Sequence, residues 1–446
     1  MDSSYLEDKV FCSVTQFNEF GHKVAEFCGQ KEDIDHVMKP QVFSSDEFCP
    51  HFDIPIYGKT VYISATPSEN VNPQDMSMRI SLTAAAAKEN GAEKVVLLAP
   101  LLFYTRQDRG PREDAKFVGE PNSTLVQARN FKANGIDQIL TVHLHSRTNY
   151  AAYGEAYFPD EIKKFTENKA RSEQEIEEKK EDFGRQVLYN LNPNPIFAHY
   201  LRFRSSLMHE CDKEAPGKFY SKIRKYDGKK LPEKLFRQIE DYSGENIVFM
   251  SPDLGAKYHI YDLQGSCFLP DSQYCNFEKL RGSPNNPSDM TVELNQMSDN
   301  FNGLEDKIVI VADDMVDTGG TITNSLHALM NNNQYGKPEA VIMVFTHPVL
   351  AGQTIRSRQH NIGSVRPREI VTMNTLPYIE YRRNPGWKRN SSVLRLAAYM
   401  GDAISSCIEQ QVPPQLVYNY DSLEDLMSVE RLYDIKSSTM HFLGGR

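Results

Sequence analysis

Two adjacent aspartates and two adjacent glycines follow an apolar run near residue 310. The stretch reads KIVIVADDMVDTGGTITN over 307–324. Its β-branched residues at 308–311 are typical of a strand in a parallel sheet that is covered on both faces. The segment 317–321 stands between this strand and a predicted helix over 322–330, where free backbone N–H groups bind anions. The pattern therefore predicts an anion site at the carboxyl end of a buried strand.

A second polar cluster contains Arg106, Gln107 and Asp108, which follow an apolar run over 94–99. The guanidinium group offers two parallel donors to a phosphate, and the other two side chains offer polar groups to a base or a hydrated metal ion. Open α/β sheets bind their ligands in the crevice at the carboxyl ends of the strands. This cluster therefore predicts a second contact with a polar ligand.

Two more strand ends carry residue types that ligate metals. His143 and His145 follow the run 139–142, and alternation along a continuing strand places both imidazoles on one face. Such a pair either ligates a transition metal or is structural, and both interpretations stay open at this point. Asp253 follows the run 246–250, where a turn explains a carboxylate near a glycine equally well.

The elements that must position these residues alternate between strand-like and helix-like runs. The strand-like runs cover 94–99, 139–142, 246–250, 307–311 and 339–345. This alternation indicates an α/β fold with parallel sheets. The runs form two sets along the chain, so we predict two domains, 1–200 and 201–446.

A charged segment over about 150–190 separates the two sets of strands. Between 160 and 185, 16 of the 26 residues are charged, and the apolar residues are too few for a buried helix. We expect a solvated helix or helical hairpin at the surface of the first domain.

Composition argues against several classes of protein. With 446 residues, 40% of them hydrophobic, the chain buries a sizeable core. The net charge of −10 argues against a nucleic-acid partner. No apolar run reaches the ~18 residues of a membrane span, and MDSSYLEDK at the start does not resemble a signal peptide, so we expect a cytoplasmic protein without membrane association. Seven scattered cysteines without a C-x-x-C pair indicate reduced thiols.

The four polar clusters, taken together and in this order, carry a specific resemblance. VADDMVDTGGT at 311–321 resembles the phosphoribosyl diphosphate signature that type I phosphoribosyltransferases share with ribose-phosphate diphosphokinases. The segments that match the diphosphokinases are YTRQD at 104–108, LH at 144–145, SPDLG at 251–255 and TH at 346–347. The chain therefore resembles a divergent ribose-phosphate diphosphokinase with a charged insertion. This resemblance implies an α/β fold of two type I phosphoribosyltransferase-like domains, each a mainly parallel sheet flanked by helices.

The resemblance also implies a reaction between ATP and ribose 5-phosphate. The C1 hydroxyl of ribose 5-phosphate attacks the β-phosphorus of ATP, which gives phosphoribosyl diphosphate and AMP. Asp313 and Asp314 then face the ribose hydroxyls and a hydrated cation. The residues implied to hold the 5-phosphate are Asp317, Thr318, Gly319, Gly320 and Thr321.

The remaining ligands and the assembly are implied in the same way. Mg²⁺ is the implied cofactor, with His145 and Asp253 as its protein ligands. The implied catalytic cations are Lys279 and Arg281, in a loop rich in Gly, Pro and Asn. The implied ATP contacts are Arg106, Gln107 and Asp108, joined by Phe43, Ser45 and Glu47 from a loop of a neighbouring subunit. The implied assembly is thus a homo-oligomer with a shared ATP site.

The chain departs from the family pattern at several of these places. The family has an acidic residue in place of His143, asparagine in place of Ser45 and histidine in place of Glu278. The loop after Asp108 is also longer than in the family. These departures keep two alternatives open. One is a diphosphokinase for a larger 5-substituted ribose such as ADP-ribose, and the other is a non-catalytic regulatory paralogue.

Overall fold

In a computed structural model, the chain folds into two compact units. The described residues are 8–15, 18–30, 33–67, 71–108, 119–167, 171–205, 233–252, 254–280, 291–331, 335–350, 359, 362–380, 387 and 390–437. The first unit contains Met1–Asn192, Thr375–Pro377 and Ala397–Asn419, and the second contains Pro193–Asn374, Tyr378–Leu396 and Tyr420–Arg446. The continuous domain boundary at residue 200 stays a prediction.

The first unit is built on a sheet of five parallel strands. In chain order its strands are β1 (Lys9–Ser13), β2 (Gln41–Val42), β3 (Phe48–Cys49), β4 (Thr60–Ser64), β5 (Lys94–Leu98), β6 (Gln138–Val142) and β7 (Leu188–Leu191). The sheet order is β1-β4-β5-β6-β7, while β2 and β3 form a separate antiparallel hairpin. In β4, β5 and β6 every residue after the first is buried, as expected for strands covered on both faces.

Helices cover the sheet of the first unit. They are Glu19–Phe27, Ile34–Val37, Pro73–Glu89, Ser123–Ala133, Thr148–Tyr157, Pro159–Glu167, Glu173–Gly184, Ala397–Ala403 and Pro414–Val417, with one π-helical turn at Ile404–Ile408. Local sequence explains where two of them begin. The side chains of Asn72 and Asn122 accept hydrogen bonds from the backbone N–H groups of Asp75 and Leu125, so both helices start with a capped first turn.

The second unit is built on a larger sheet of eight strands. They are β8 (Ile247–Ser251), β9 (Gln273–Leu280), β10 (Thr291–Met297), β11 (Ile308–Met315), β12 (Ala340–His347), β13 (Glu369–Met373), β14 (Ser391–Arg395) and β15 (Asp434–Ser437). The sheet order is β10-β9-β8-β11-β12-β13-β14-β15, and only the outer strands β10 and β15 pair antiparallel in it. The predicted α/β fold with two mainly parallel sheets is confirmed.

The helices of the second unit are of both α and 3₁₀ type. The α-helices are Asn194–Phe203, Glu233–Glu240, Lys257–Ser266, Gly320–Asn331 and Leu423–Met427, and the 3₁₀ helices are Leu254–Ala256, Pro377–Glu380 and Ser428–Leu432. Within the described ranges of both units, no helix is long and apolar enough to cross a membrane.

The C-terminal part of the chain returns to the first unit. Helix Ala397–Ala403 packs on helix Glu19–Phe27, where the buried Cys28 thiol donates a weak hydrogen bond to the carbonyl oxygen of Gly401 over 3.8 Å. The Lys9 ammonium group at the start of the edge strand β1 lies 2.6 Å from the Glu409 carboxylate. The first unit therefore depends on residues from both ends of the chain.

The charged segment forms two helices, which confirms the predicted helical hairpin. Ser172 caps helix Glu173–Gly184 in a reciprocal capping box with Glu175. This helix packs closely on helix Thr148–Tyr157, because glycines stand at both contact points. A Cβ on Gly154 would overlap the carbonyl oxygen of Lys180, and a Cβ on Gly184 would overlap that of Tyr150. The hairpin is therefore a docked part of the first unit.

Replacing Gly184 with alanine should destabilise this docking, because the new Cβ overlaps the Tyr150 carbonyl oxygen. Overpacking of this kind lowers the free energy of unfolding by about 1–3 kcal/mol, which urea denaturation measures. Gly265→Ala is the matched control, since it also lies in a helix and no atom lies within 4 Å of its added Cβ. We expect unchanged or higher stability for the control, and equal stability of both variants would contradict the close packing.

Candidate active site

Two half-buried aspartates lie at the carboxyl end of β11. The first five residues of this strand are buried, whereas Asp313, Asp314 and Met315 are partly exposed. The strand continues through both aspartates because Asp313 pairs with Phe345 and Met315 with His347 on β12. The Asp314 N–H donates a hydrogen bond to the Asp313 carboxylate over 2.9 Å, which fixes the side chain of Asp313. This strand end therefore presents two carboxylates side by side.

The loop after β11 turns through a glycine in the left-handed region. Gly319 has φ +74°, and a Cβ there would lie 2.7 Å from Ile362 Cγ1. Both the backbone conformation and the lack of space therefore favour glycine at this position. The Gly319 carbonyl oxygen accepts hydrogen bonds from the backbone and hydroxyl of Thr323, at 3.0 and 2.7 Å. Helix Gly320–Asn331 starts directly after this turn, with Thr321 in its first turn. The first N–H groups of a helix are groups to which an anion can bind.

The predicted members of the anion loop are thus brought together. Asp317 is half-buried and Thr318 is exposed, and the Thr318 hydroxyl accepts a hydrogen bond from the Gly320 N–H over 3.3 Å. The side chain of Thr321 lies outside the described residues. The neighbouring strand end supports the loop, because the His347 carbonyl oxygen accepts from the Val316 N–H over 3.0 Å.

Two titratable residues near this strand end were missed by sequence reasoning. Burial lowers the pKa of His259 to about 4, although the charges of Asp314 and Asp262 oppose the shift. His259 is therefore neutral at pH 7. Burial, followed by the charge of Asp317, raises the pKa of Tyr378, which stays protonated and donates to the Val349 carbonyl oxygen over 2.9 Å. Neither residue belongs to a motif, so the sequence carried no signal for them.

The remaining predicted residues of the second unit are only partly described. Asp253 and Arg281 lie outside the described residues. Lys279 lies in β9, where its backbone pairs with Val292 of β10, and its side chain is outside the described residues. The prediction that Lys279 lies in a loop is therefore wrong, because the antiparallel pairing with β10 extends the strand to Leu280.

In the first unit, the Arg-Gln-Asp cluster occupies a turn that a neighbouring helix holds in place. Tyr104 adopts a left-handed conformation with φ +64°, and its carbonyl oxygen accepts from the Thr124 hydroxyl over 2.7 Å. The Asn122 amide donates to the Asp108 carbonyl oxygen over 2.9 Å. Both partners come from the start of helix Ser123–Ala133, while Arg106 and Gln107 are exposed. The turn therefore presents a guanidinium and an amide to solvent from a fixed backbone.

The histidine loop differs from its prediction. β6 ends at Val142 and His143 has a left-handed backbone with φ +51°, so the two imidazoles do not alternate along a strand. His145 is exposed in the loop that follows. The Thr148 hydroxyl at the end of this loop donates a hydrogen bond to the Asp108 carboxylate. The His145 loop and the Arg-Gln-Asp turn therefore meet at the carboxyl ends of β5 and β6, as predicted for adjacent parallel strands.

The predicted adenine-binding residues lie at the tip of the β2–β3 hairpin. The Phe43 N–H donates to the Glu47 carbonyl oxygen over 2.9 Å, and the Ser45 hydroxyl donates to the Glu47 carboxylate over 2.6 Å. The ring of Phe43 is 46% exposed, which makes it available for stacking on a planar group. The hairpin thus holds Phe43, Ser45 and Glu47 together within one unit.

The donor set of these strand ends fits a hydrated magnesium ion. Asp313 and Asp314 offer carboxylate oxygens, and Mg²⁺ is usually held by one or two carboxylates, by phosphates and by water. In the described part of the chain, three clustered ligand side chains occur only at His22, Asp33 and Asp35, none of which is a predicted ligand. Among the described residues, no such cluster includes Asp313, Asp314 or His145.

Comparison with known proteins identifies similar chains for both units. A family model described as the N-terminal domain of ribose phosphate pyrophosphokinase matches residues 10–119, and one described as the phosphoribosyl transferase domain matches residues 223–347. Ribose-phosphate pyrophosphokinase 1 of Streptococcus pyogenes is 25% identical over 377 residues, which are 84% of this chain and 87% of the relative. Ribose-phosphate pyrophosphokinase A of Dictyostelium discoideum is 22% identical over 345 residues, which are 77% of this chain and 78% of the relative.

A solved structure shares the fold. The crystal structure of phosphoribosylpyrophosphate synthetase from Mycobacterium smegmatis matches with a TM-score of 0.60 at 19% sequence identity. The match covers 91% of this chain and 100% of that chain. At this identity the likeness shows the fold alone.

The anion loop predicts a difference between its two adjacent glycines. Gly319→Ala should lower the free energy of unfolding by about 1–3 kcal/mol, because it forces an L-residue into the left-handed region and against Ile362. Gly320→Ala is the control, since its Cβ meets only the Thr318 hydroxyl at 3.5 Å and alanine favours the helix. Urea denaturation of both variants measures the difference, and a control as unstable as Gly319→Ala would overturn this account of the turn.

Proposed function

Because the chain belongs to the ribose-phosphate pyrophosphokinase family, we propose that it transfers the β,γ-diphosphoryl group of ATP to the C1 hydroxyl of ribose 5-phosphate. The products are phosphoribosyl diphosphate and AMP. The observation that carries this proposal is the end of β11, where two carboxylates, a left-handed glycine and a helix start follow one another. These are the parts that a phosphorylated sugar needs from a protein.

The second unit binds the acceptor in this proposal. The backbone N–H groups over 317–321 hold the 5-phosphate. Gly319 permits the turn that directs these N–H groups toward the phosphate. Asp313 and Asp314 accept hydrogen bonds from the ribose hydroxyls or hold a hydrated cation. Fixing the sugar at both ends places its C1 hydroxyl for attack, and positioning is a major source of rate in phosphoryl transfer.

The first unit binds ATP in this proposal. Arg106 and Gln107 contact the nucleotide from the turn that helix Ser123–Ala133 holds, and Asp108 links this turn to the His145 loop. The exposed ring of Phe43 stacks on adenine, with Ser45 and Glu47 beside it. In the family, this hairpin serves the site of a neighbouring subunit, so we propose a homo-oligomer with a shared ATP site.

Magnesium and two cations complete the proposed site. His145 and Asp253 would hold Mg²⁺, which would neutralise charge on the phosphates of ATP. A histidine contact is unusual for this ion, so a water molecule can lie between them. Lys279 and Arg281 stabilise the negative charge that develops on the transferred group. Lys279 is the last residue but one of β9, and Arg281 is the next residue in the sequence after that strand.

The proposed reaction predicts the product nucleotide. Incubation with Mg-ATP and ribose 5-phosphate should release AMP, because the attacked phosphorus is β, and chromatography separates AMP from ADP. Omission of ribose 5-phosphate is the control and should give no AMP. Accumulation of ADP in place of AMP would overturn the diphosphokinase assignment.

The same chromatography separates the two alternatives. A preference for ADP-ribose over ribose 5-phosphate, measured as kcat/KM for AMP release, would identify a larger acceptor. A kcat/KM ratio above about 10⁴ in favour of ribose 5-phosphate would exclude it, since that ratio corresponds to ~5 kcal/mol of discrimination. Binding of Mg-ATP without AMP release from either acceptor would identify a non-catalytic paralogue.

Lys279→Ala and Arg281→Ala should each lower kcat by about 10²-fold or more, with a smaller change in KM. The reason is that both cations act on charge that appears only in the transition state. Lys307→Ala is the matched control, because Lys307 precedes the amino end of β11 and donates to the Glu245 carbonyl oxygen over 2.7 Å. Near-normal kcat in both test variants would show that other cations serve this role.

A further inference from the structure

We propose that the charged hairpin of helices Pro159–Glu167 and Glu173–Gly184 positions the nucleotide site of the first unit, and that Glu181 is the residue through which it acts. This inference rests on the proposed function, which makes the loop with His145 and Asp108 part of the ATP site. Neither family model matches the residues of the hairpin. Glu181 is a positioning residue and does not contact ATP in this proposal.

The first step is a carboxylate shared by two arginines. Glu181 Oε2 lies 3.0 Å from Arg147 Nη2 and 3.5 Å from Arg185 Nη2. The side chain of Glu181 is only 16% exposed, although that of Arg147 is 79% exposed. A carboxylate that is largely shielded from water interacts more strongly than one in a fully exposed ion pair. Arg147 is therefore held at the surface of the hairpin.

The second step leads from Arg147 to the nucleotide site along the backbone. Arg147 immediately precedes Thr148, the first residue of helix Thr148–Tyr157. The Thr148 hydroxyl donates to the Asp108 carboxylate, and the Asn149 side chain donates to the Ser146 carbonyl oxygen over 2.8 Å. A shift of Arg147 therefore moves the residues that connect the two nucleotide loops.

The third step is the docking that makes the hairpin a firm support. Helix Glu173–Gly184 packs on helix Thr148–Tyr157 through the close contacts of Gly154 and Gly184. The Arg185 guanidinium lies 4.3 Å from the centre of the Tyr150 ring, and Lys180 lies 2.9 Å from Glu155. Tyr150 is buried, so this cation–π contact is partly shielded from water. Helix Glu173–Gly184 is therefore packed firmly against the helix that follows the His145 loop.

The chain that leaves the hairpin holds the other end of the same loop. The hairpin leads into β7, and the Asn190 side chain accepts a hydrogen bond from the Leu144 N–H over 3.0 Å. The Leu191 carbonyl oxygen accepts from the His143 N–H over 3.1 Å. β7 thus fixes the loop before His145, while Glu181 fixes it after His145. The orientation of His145 depends on both.

The sign of the effect separates positioning from simple charge. Replacing Glu181 with glutamine removes one negative charge near a site for a polyanion, and by charge alone this change strengthens ATP binding. Loss of positioning weakens binding instead. Glu178→Gln is the matched control, because Glu178 lies on the same helix and is exposed. Its carboxylate accepts a hydrogen bond from the Gln174 side chain over 2.8 Å.

The experiment measures the Kd of Mg-ATP by calorimetry for wild type, Glu181→Gln and Glu178→Gln. We expect Glu181→Gln to raise this Kd about three- to tenfold and Glu178→Gln to leave it unchanged or lower it. The KM of ribose 5-phosphate should stay within about twofold in both variants, which also shows that they are folded. A Glu181→Gln protein that binds Mg-ATP as tightly as wild type would overturn the inference.

A second variant tests the proposed route. Arg147→Gln should raise the Kd of Mg-ATP to the same extent as Glu181→Gln, and the double variant should add little, because the two residues act as a pair. Additive effects would overturn the route through Arg147. If the wild-type protein binds Mg-ATP and both variants bind it equally tightly, only this inference is overturned. If the wild-type protein neither binds Mg-ATP nor releases AMP, the proposed function is overturned, and this inference with it.

Discussion

Burial of both faces of two parallel sheets is the constraint on which the rest of this structure depends. Residues 95–98 of β5 and 308–312 of β11 are apolar and buried, so the polar side chains of β11 stand only at its carboxyl end. Side chains of β11 become partly exposed only from Asp313 onward. The carboxylates of Asp313 and Asp314 and the turn after β5 accordingly lie at strand ends, where open α/β sheets bind their ligands.

The loops at these ends share a backbone conformation as well as a location. Tyr104, His143 and Gly319 all have positive φ, and each lies shortly after a parallel strand. Only one of the three is glycine, so the other two carry a conformational cost of about 1–2 kcal/mol each. Hydrogen bonds from Thr124 to Tyr104 and from His143 to Leu191 offset part of that cost. Backbone strain of this kind concentrates at functional sites, because the sharp turns aim side chains that a relaxed loop does not.

The sequence predicted the features that depend on local pattern and missed those that depend on distant partners. The run 308–311 predicted a buried strand because its β-branched residues are contiguous, and the adjacent glycines predicted the turn. The extension of β11 to Met315 depends on pairing with His347, and the strand at Lys279 depends on pairing with Val292. Neither partner is visible from the local pattern. The left-handed backbone of His143 was missed for a related reason, since alternation alone does not show where a strand stops.

The return of Ala397–Asn419 to the first unit sets the order in which a new chain is able to fold. Lys9 and Cys28 leave the ribosome about 370–400 residues before their partners Glu409 and Gly401. At a translation rate of about 5–20 residues per second, helix Ala397–Ala403 is synthesised roughly 20–80 s after helix Glu19–Phe27. The face of helix Glu19–Phe27 that contacts it stays uncovered during this time. Almost all of the second unit is synthesised in that interval. The two units therefore mature together during translation, and a chain truncated before residue 397 leaves the first unit incomplete even though its sheet is intact.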